Sequence, residues 1–254
     1  MTRAPIDYNL IYAPFLYLII TFITLFILII FAKKLFNDKK EQSIFIVASL
    51  IGNTGNLGIP LGIALYGEAS VPYTSIINIA NIFFIYTVGI YFYAKGQFTF
   101  QQSMNSIAKI PILWFGIFAL IYNYLELPIN SQIDKVLEMG AYATIVLQLI
   151  IFGVYLSKVE LKSNNYKLSI GTTFVKLFLF PAVGLSVILI ANLDPYIASI
   201  LMISLLMPLA VNNVNLSALY DCKPLDVTVA VFVSTVLFLV LFYFDLEVVR
   251  YFFG

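Results

Sequence analysis

Histidine is absent from all 254 residues, cysteine and tryptophan occur once each, and charged residues make up only 11%. Lacking histidine, the chain has neither the commonest zinc ligand nor the usual general base near neutral pH. The lone Cys222 closes no internal disulfide and builds no thiolate cluster, so no metal and no cofactor is expected. No acidic residue lies deep in an apolar run, which leaves few groups for acid–base or nucleophilic chemistry and argues against an enzyme. A net charge of +1 without a long basic tract argues against nucleic acid as a partner. The Gly-x4-Gly-Lys-Ser/Thr phosphate loop is missing too, so nucleotide hydrolysis is not expected.

What remains is apolar. Hydrophobic residues form 61% of the chain and its mean hydropathy is +0.98. A soluble domain carries roughly a quarter charged residues. This chain therefore could not cover its own surface in water and reads as an all-α integral membrane protein. Eight apolar runs stand out: Leu10–Ala32, Ser43–Tyr66, Tyr73–Ala94, Ile107–Leu125, Leu137–Leu156, Leu168–Asn192, Tyr196–Tyr220 and Asp226–Val248. Each approaches or exceeds the ~20 residues a helix needs to cross ~30 Å of hydrocarbon. The first is too long for a secretory signal and lacks a small-residue cleavage site, so it is expected to be retained.

Basic residues near span ends are held on the cytoplasmic side. With the amino terminus outside, Lys33, Lys34, Lys39, Lys40, Lys95, Lys109, Lys158, Lys162, Lys167 and Lys223 face the cytoplasm, and only Arg3, Lys135 and Arg250 face out. Both termini are expected outside the cell (inner) membrane, which independently supports an even number of spans.

Two runs break the rules for a membrane helix. The second contains Gly52-Asn53-Thr54-Gly55-Asn56-Leu57-Gly58-Ile59-Pro60, and the seventh contains Pro208 followed by Asn212, Asn213 and Asn215. Glycine and proline loosen the hydrogen-bond ladder, and freed backbone groups at that depth must be covered by protein or water. The two runs lie five helices apart, so they cross the bilayer in opposite directions. That is the pattern of an inverted repeat whose interrupted helices meet near the midplane and turn their half-helix ends toward a solute. Residues 10–94 then form a partial amino-terminal repeat around a broken helix over 43–66. Residues 107–248 form a five-helix repeat around a broken helix over 196–220. By this arithmetic the first repeat is two helices short.

Lys176 is the one charged side chain well inside a run, ~12 Å along the helix from its cytoplasmic start. An intramembrane cation must face protein or water. It serves as a counter-charge for an anionic solute or as a fixed charge in the place of a coupling cation. The blander readings are a lysine that snorkels to the interface or that donates to a broken helix's carbonyls. For Asn78, Asn81 and Gln148 interhelical hydrogen bonding is the simpler account. Glu68 and Asp221, in short loops after the broken runs, read as solvated.

Residues Asn53-Thr54-Gly55-Asn56-Leu57-Gly58-Ile59-Pro60 with Tyr66-Gly67 resemble the Asn-Thr-x-x-x-Gly-x-Pro and Tyr/Phe-Gly signature of the auxin efflux carrier family, which includes bacterial malonate and malate permease-like proteins. Lys176 five residues before Pro181 is similar to a family Lys-x4-Pro pattern. Pro208-Leu209-Ala210-Val211-Asn212 resembles the family's second broken helix, and Tyr220, Pro224 and Val229-Ala230-Val231 resemble its exit into the last helix. The resemblance implies ten helices in two inverted five-helix repeats, with the fourth and ninth broken and crossing, and elevator-like movement of a transport domain. This chain begins at what resembles the third family helix, the same two-helix deficit.

The expected function is a secondary transporter that moves a small organic anion, such as a carboxylate, by alternating access. The substrate-binding set comprises Asn53, Thr54, Gly55, Asn56, Gly58, Pro60, Lys176, Pro208, Asn212 and Asn213. Its expected partners are the anion, the lipid bilayer, a proton or sodium gradient and a second copy of the chain as a homodimer. The rival readings are a truncated non-transporting remnant, a membrane interaction subunit and a simple channel.

Overall fold

The computed structural model describes residues 8–94, 114, 118, 121–122, 125, 127–158 and 165–254. The expected fourth span, 107–125, lies outside the described residues apart from the five isolated positions in that range, and so do Arg3, Lys95, Lys109 and Lys162. The described residues are helical, with an isolated antiparallel bridge between Gly52 and Leu209. Among the described residues, four stretches are long and apolar enough to cross a membrane: Leu10–Leu35, Glu68–Tyr93, Tyr166–Ala191 and Pro224–Phe253.

Helix α1 (Tyr8–Leu35) shows what drives the assembly. Ala13, Tyr17, Ile20, Thr24, Leu28 and Ala32 recur every three or four residues and are buried. Phe15, Phe26 and Ile30 on the other side are at least 58% exposed. A helix apolar all round yet half uncovered is one whose second face meets lipid. Buried hydroxyls are tolerated because they close on the preceding turn: Thr21 Oγ1 donates to the Tyr17 carbonyl at 2.7 Å and Thr24 Oγ1 to the Ile20 carbonyl at 2.9 Å.

The second apolar run is interrupted where glycine and proline gather. It comprises α2 (Lys39–Ala48), a non-helical stretch through Asn53, a π turn (Thr54–Gly58) and α3 (Ile59–Tyr66). The third run is α4 (Val71–Phe84), a π turn (Ile85–Gly89) and α5 (Ile90–Tyr93). Then come α6 (Ser131–Leu156) and α7 (Tyr166–Phe174), a π turn (Val175–Leu179) and α8 (Phe180–Ala191). The seventh run divides into α9 (Pro195–Leu206) and α10 (Asn212–Leu219), and α11 (Pro224–Phe253) follows.

Two of the π turns end two residues before a proline, Pro60 and Pro181. Proline offers no N–H to the carbonyl four residues back, and the longer i→i+5 register absorbs the gap. Helix starts are fixed by side chains: Asp194 accepts from the Tyr196 and Ile197 amides, with Pro195 in the first turn of α9. Helix α1 packs along α2, α4 and α8, and α11 along α7, α9 and α10. The two interrupted elements lie between these walls.

Candidate functional site

The two interruptions meet. The Asn53 N–H donates to the Pro208 carbonyl at 2.9 Å, and the Ala210 N–H donates to the Ile51 carbonyl at 3.0 Å. With Gly52 opposite Leu209 these bonds form a short antiparallel bridge between the breaks. Each broken strand thus satisfies the other's backbone, which is how unwound peptide survives where water is scarce.

The remaining carbonyls are held by buried amides. Asn81 Nδ2 donates to the Gly52 carbonyl and to Thr54 Oγ1, both at 2.9 Å, and Asn81 Oδ1 accepts from the Tyr17 hydroxyl at 3.1 Å. Asn213 does the same for the other break. Its Nδ2 reaches the Ile51 carbonyl at 3.2 Å and the Ala210 carbonyl at 3.0 Å, while its Oδ1 accepts from the Tyr93 hydroxyl at 2.9 Å. The Leu209 N–H, diverted from its helix, donates to Ser234 Oγ at 3.2 Å. Thr54 Oγ1 also donates to Asn78 Oδ1 at 2.9 Å.

Lys176 is fully buried in the π turn between α7 and α8. Its Nζ donates to the Leu205 carbonyl at 3.0 Å and lies 4.3 Å from the centre of the Phe180 ring. A Cβ on Gly52 would fall 2.9 Å from that nitrogen, so the ammonium adjoins both interrupted elements and a side chain at position 52 would displace it. Of the alternatives open from the sequence, donation to a broken helix's carbonyls is the arrangement present.

Half-helix ends therefore converge on the crossing with opposite polarity. The π turn at Thr54 and α10 bring positive N-terminal ends, while α2 and α9 bring negative C-terminal ends. Lys176 stands at the end of α9. Asn53 and Asn212 are partly exposed, and their side chains make no hydrogen bond among the described residues. Asn215 carries a buried Oδ1 without a partner among the described residues.

The other expected residues divide between these roles. Pro208 and Asn213 are buried inside the crossing, and Thr54 is tied to Asn78 and Asn81. Gly55 lets the π turn approach Asn78, whose Oδ1 would lie 3.0 Å from an added Cβ, and Gly58 adjoins the Met207 side chain. Asn56 is partly exposed and Pro60 is exposed. The register sets Asn53 opposite Pro208, while Asn212 lies beyond the far end of the bridged pair. Asn78 and Asn81 bond between helices, as the simpler account has it, and the Gln148 side chain lies outside the described residues.

Sequence reasoning missed Tyr17, Tyr93 and Ser234, which lie in otherwise apolar runs. Their one signal is that a hydroxyl at that depth requires a partner.

Basic residues gather at one end of the bundle. Lys223 Nζ lies 2.6 Å from both Asp38 Oδ2 and Glu41 Oε1, Lys40 reaches Asp221 at 3.4 Å, and Lys167 donates to the Leu35 carbonyl. The Lys223 hydrogen bond and the Lys40 amide hold the Asp38 carboxyl below its usual range. Burial disfavours the Lys223 ammonium, but its bonds to Asp38 and Glu41 outweigh that and raise its pKa. Burial pushes the Cys222 thiol up to about 11, so it is not a thiolate nucleophile. Glu68 and Asp221 are exposed. At the opposite end Tyr66, Tyr196, Ser199 and Arg250 line a cavity of 280 Å³.

The sequence profile of the family described as membrane transport protein matches residues 3–110 and 96–244. An uncharacterized transporter of Methanocaldococcus jannaschii is 26% identical over 210 residues, which cover 80% of this chain and 67% of that relative. With two interrupted helices joined at their breaks and a family match over most of its length, the chain belongs to the membrane transport protein family, the auxin efflux carrier family its motifs resemble.

Proposed function

We propose that this chain is a secondary transporter of a small organic anion, a carboxylate, working by alternating access around the crossing. The observation that carries the reading is the pair of interrupted helices, whose positive half-helix ends adjoin the uncommitted amides of Asn53 and Asn212. Amide donors and helix N-termini suit a carboxylate, while the Ile51, Gly52, Leu205 and Pro208 carbonyls are already paired. In this reading the helices form inverted repeats across eight spans. The basic end faces the cytoplasm, and both termini lie outside. A proton or sodium gradient drives movement.

Purified protein in liposomes is expected to take up labelled small carboxylates. Asn53→Ala is expected to lower uptake at least ~10-fold, the value of one hydrogen bond to a charged group. Uptake unchanged in both Asn53→Ala and Asn212→Ala would reject the site.

A further inference from the structure

We propose that the Lys176 ammonium is a tethered monovalent cation built into the crossing, and that shortening this side chain uncovers a site for a free one. In the last turn of α9 each carbonyl needs a donor four residues on. Position 208 is proline and has none. The Leu209 N–H that would serve Leu205 is turned to Ser234 Oγ, and the Ala210 N–H that would serve Leu206 is turned to the Ile51 carbonyl. The α9 terminus therefore presents carbonyl oxygen, with the negative end of its dipole, at mid-depth.

Lys176 Nζ fills that position. It takes the Leu205 carbonyl at 3.0 Å, lies over the Phe180 ring at 4.3 Å, and is fitted against Gly52. Carbonyl oxygen at the negative end of a helix, closed by an aromatic face, suits a cation of ammonium or alkali size. Among the described residues no carboxylate pairs with Lys176, so its charge is balanced by backbone dipoles. Because the cation is covalently attached, the crossing needs none from solution. Resting on the transport reading above, it follows that sodium does not drive solute movement.

Thermal unfolding of the purified protein tests the cage without reference to transport. Lys176→Ala should lower Tm by roughly 5 °C or more, since it strands a buried carbonyl. Methylammonium chloride should restore at least half of that loss saturably, sodium chloride less, and choline chloride, too bulky to enter, none. The Tm of the unchanged protein should respond equally to all three salts. Lys176→Met fills the space without charge and should be destabilised without rescue. A native Tm in Lys176→Met, or equal recovery of Lys176→Ala by choline, overturns the proposal. If Lys176→Ala does not fold, the Lys176→Met measurement decides. Liposome uptake separates the layers. Sodium-dependent uptake by the unchanged protein overturns the coupling inference alone, whereas absence of any carboxylate uptake removes the transport reading and leaves the thermal result standing.

Discussion

Asn53 and Asn213 differ by their surroundings, not by their chemistry. Asn213 is fully buried and its amide serves two carbonyls and a tyrosine hydroxyl, whereas Asn53 bonds through its backbone and leaves its side chain uncommitted among the described residues. Asn213→Ala should therefore destabilise the fold by about 2–3 kcal/mol, the penalty of stranded buried groups. Asn53→Ala should alter stability by less than about 0.5 kcal/mol while lowering uptake. Thermal unfolding of both variants beside liposome uptake checks the pair. Gly52 makes the complementary case. A Cβ there would meet Lys176 Nζ at 2.9 Å, so Gly52→Ala should destabilise the native protein by displacing the ammonium. In a Lys176→Ala background the same change should be nearly neutral, and a double-mutant cycle on Tm measures that coupling. Additive losses would mean that the two residues are independent.

At the scale of elements, the breaks are held by their neighbours and the ends by charge. Ser234 on α11 accepts the Leu209 N–H, so Ser234→Ala should lose about 1–2 kcal/mol in unfolding measurements. The Asp38–Lys223–Glu41 cluster joins the start of α2 to the start of α11 and contributes to the pH dependence of stability. Because the Asp38 pKa is lowered, its stabilising contribution is present above the ordinary value of 3.8 and is lost as pH falls through the lowered one. The raised Lys223 pKa keeps its contribution below the ordinary 10.5, to be lost as pH rises through the raised value. The Tm difference between the protein and Lys223→Met should be level from about pH 5 to about pH 9 and should shrink as pH falls below 3.8 or rises above 10.5. Both breaks were legible because proline and glycine act on the backbone locally, whatever surrounds them. The amide relays were not. Tyr17 and Tyr93 read as ordinary apolar positions, and only the packing of α1 and α5 brings their hydroxyls to Asn81 and Asn213. Lys176 was legible as an exception, but the carbonyl it takes belongs to a helix 29 residues away and depends on where Leu209 turns its N–H.

For the whole molecule, a buried stripe on one side of each of the four membrane-length stretches and exposed large apolar side chains on the other fit a bundle surrounded by lipid. The basic cluster at Lys223 and the tyrosine-lined cavity at Arg250 stand at opposite ends of α11, about 40 Å apart along its axis. The crossing lies between them, and the proposed transport reading sets the solute there. Thiol labelling tests this most directly. Asn53→Cys and Asn212→Cys, each in a Cys222→Ser background and reconstituted in liposomes, are treated with a small membrane-impermeant thiol reagent. Both positions should react, and the carboxylate that the protein transports should slow both reactions. Labelling that no carboxylate slows, or no labelling at either position from either side of the membrane, would contradict a solute site at the crossing.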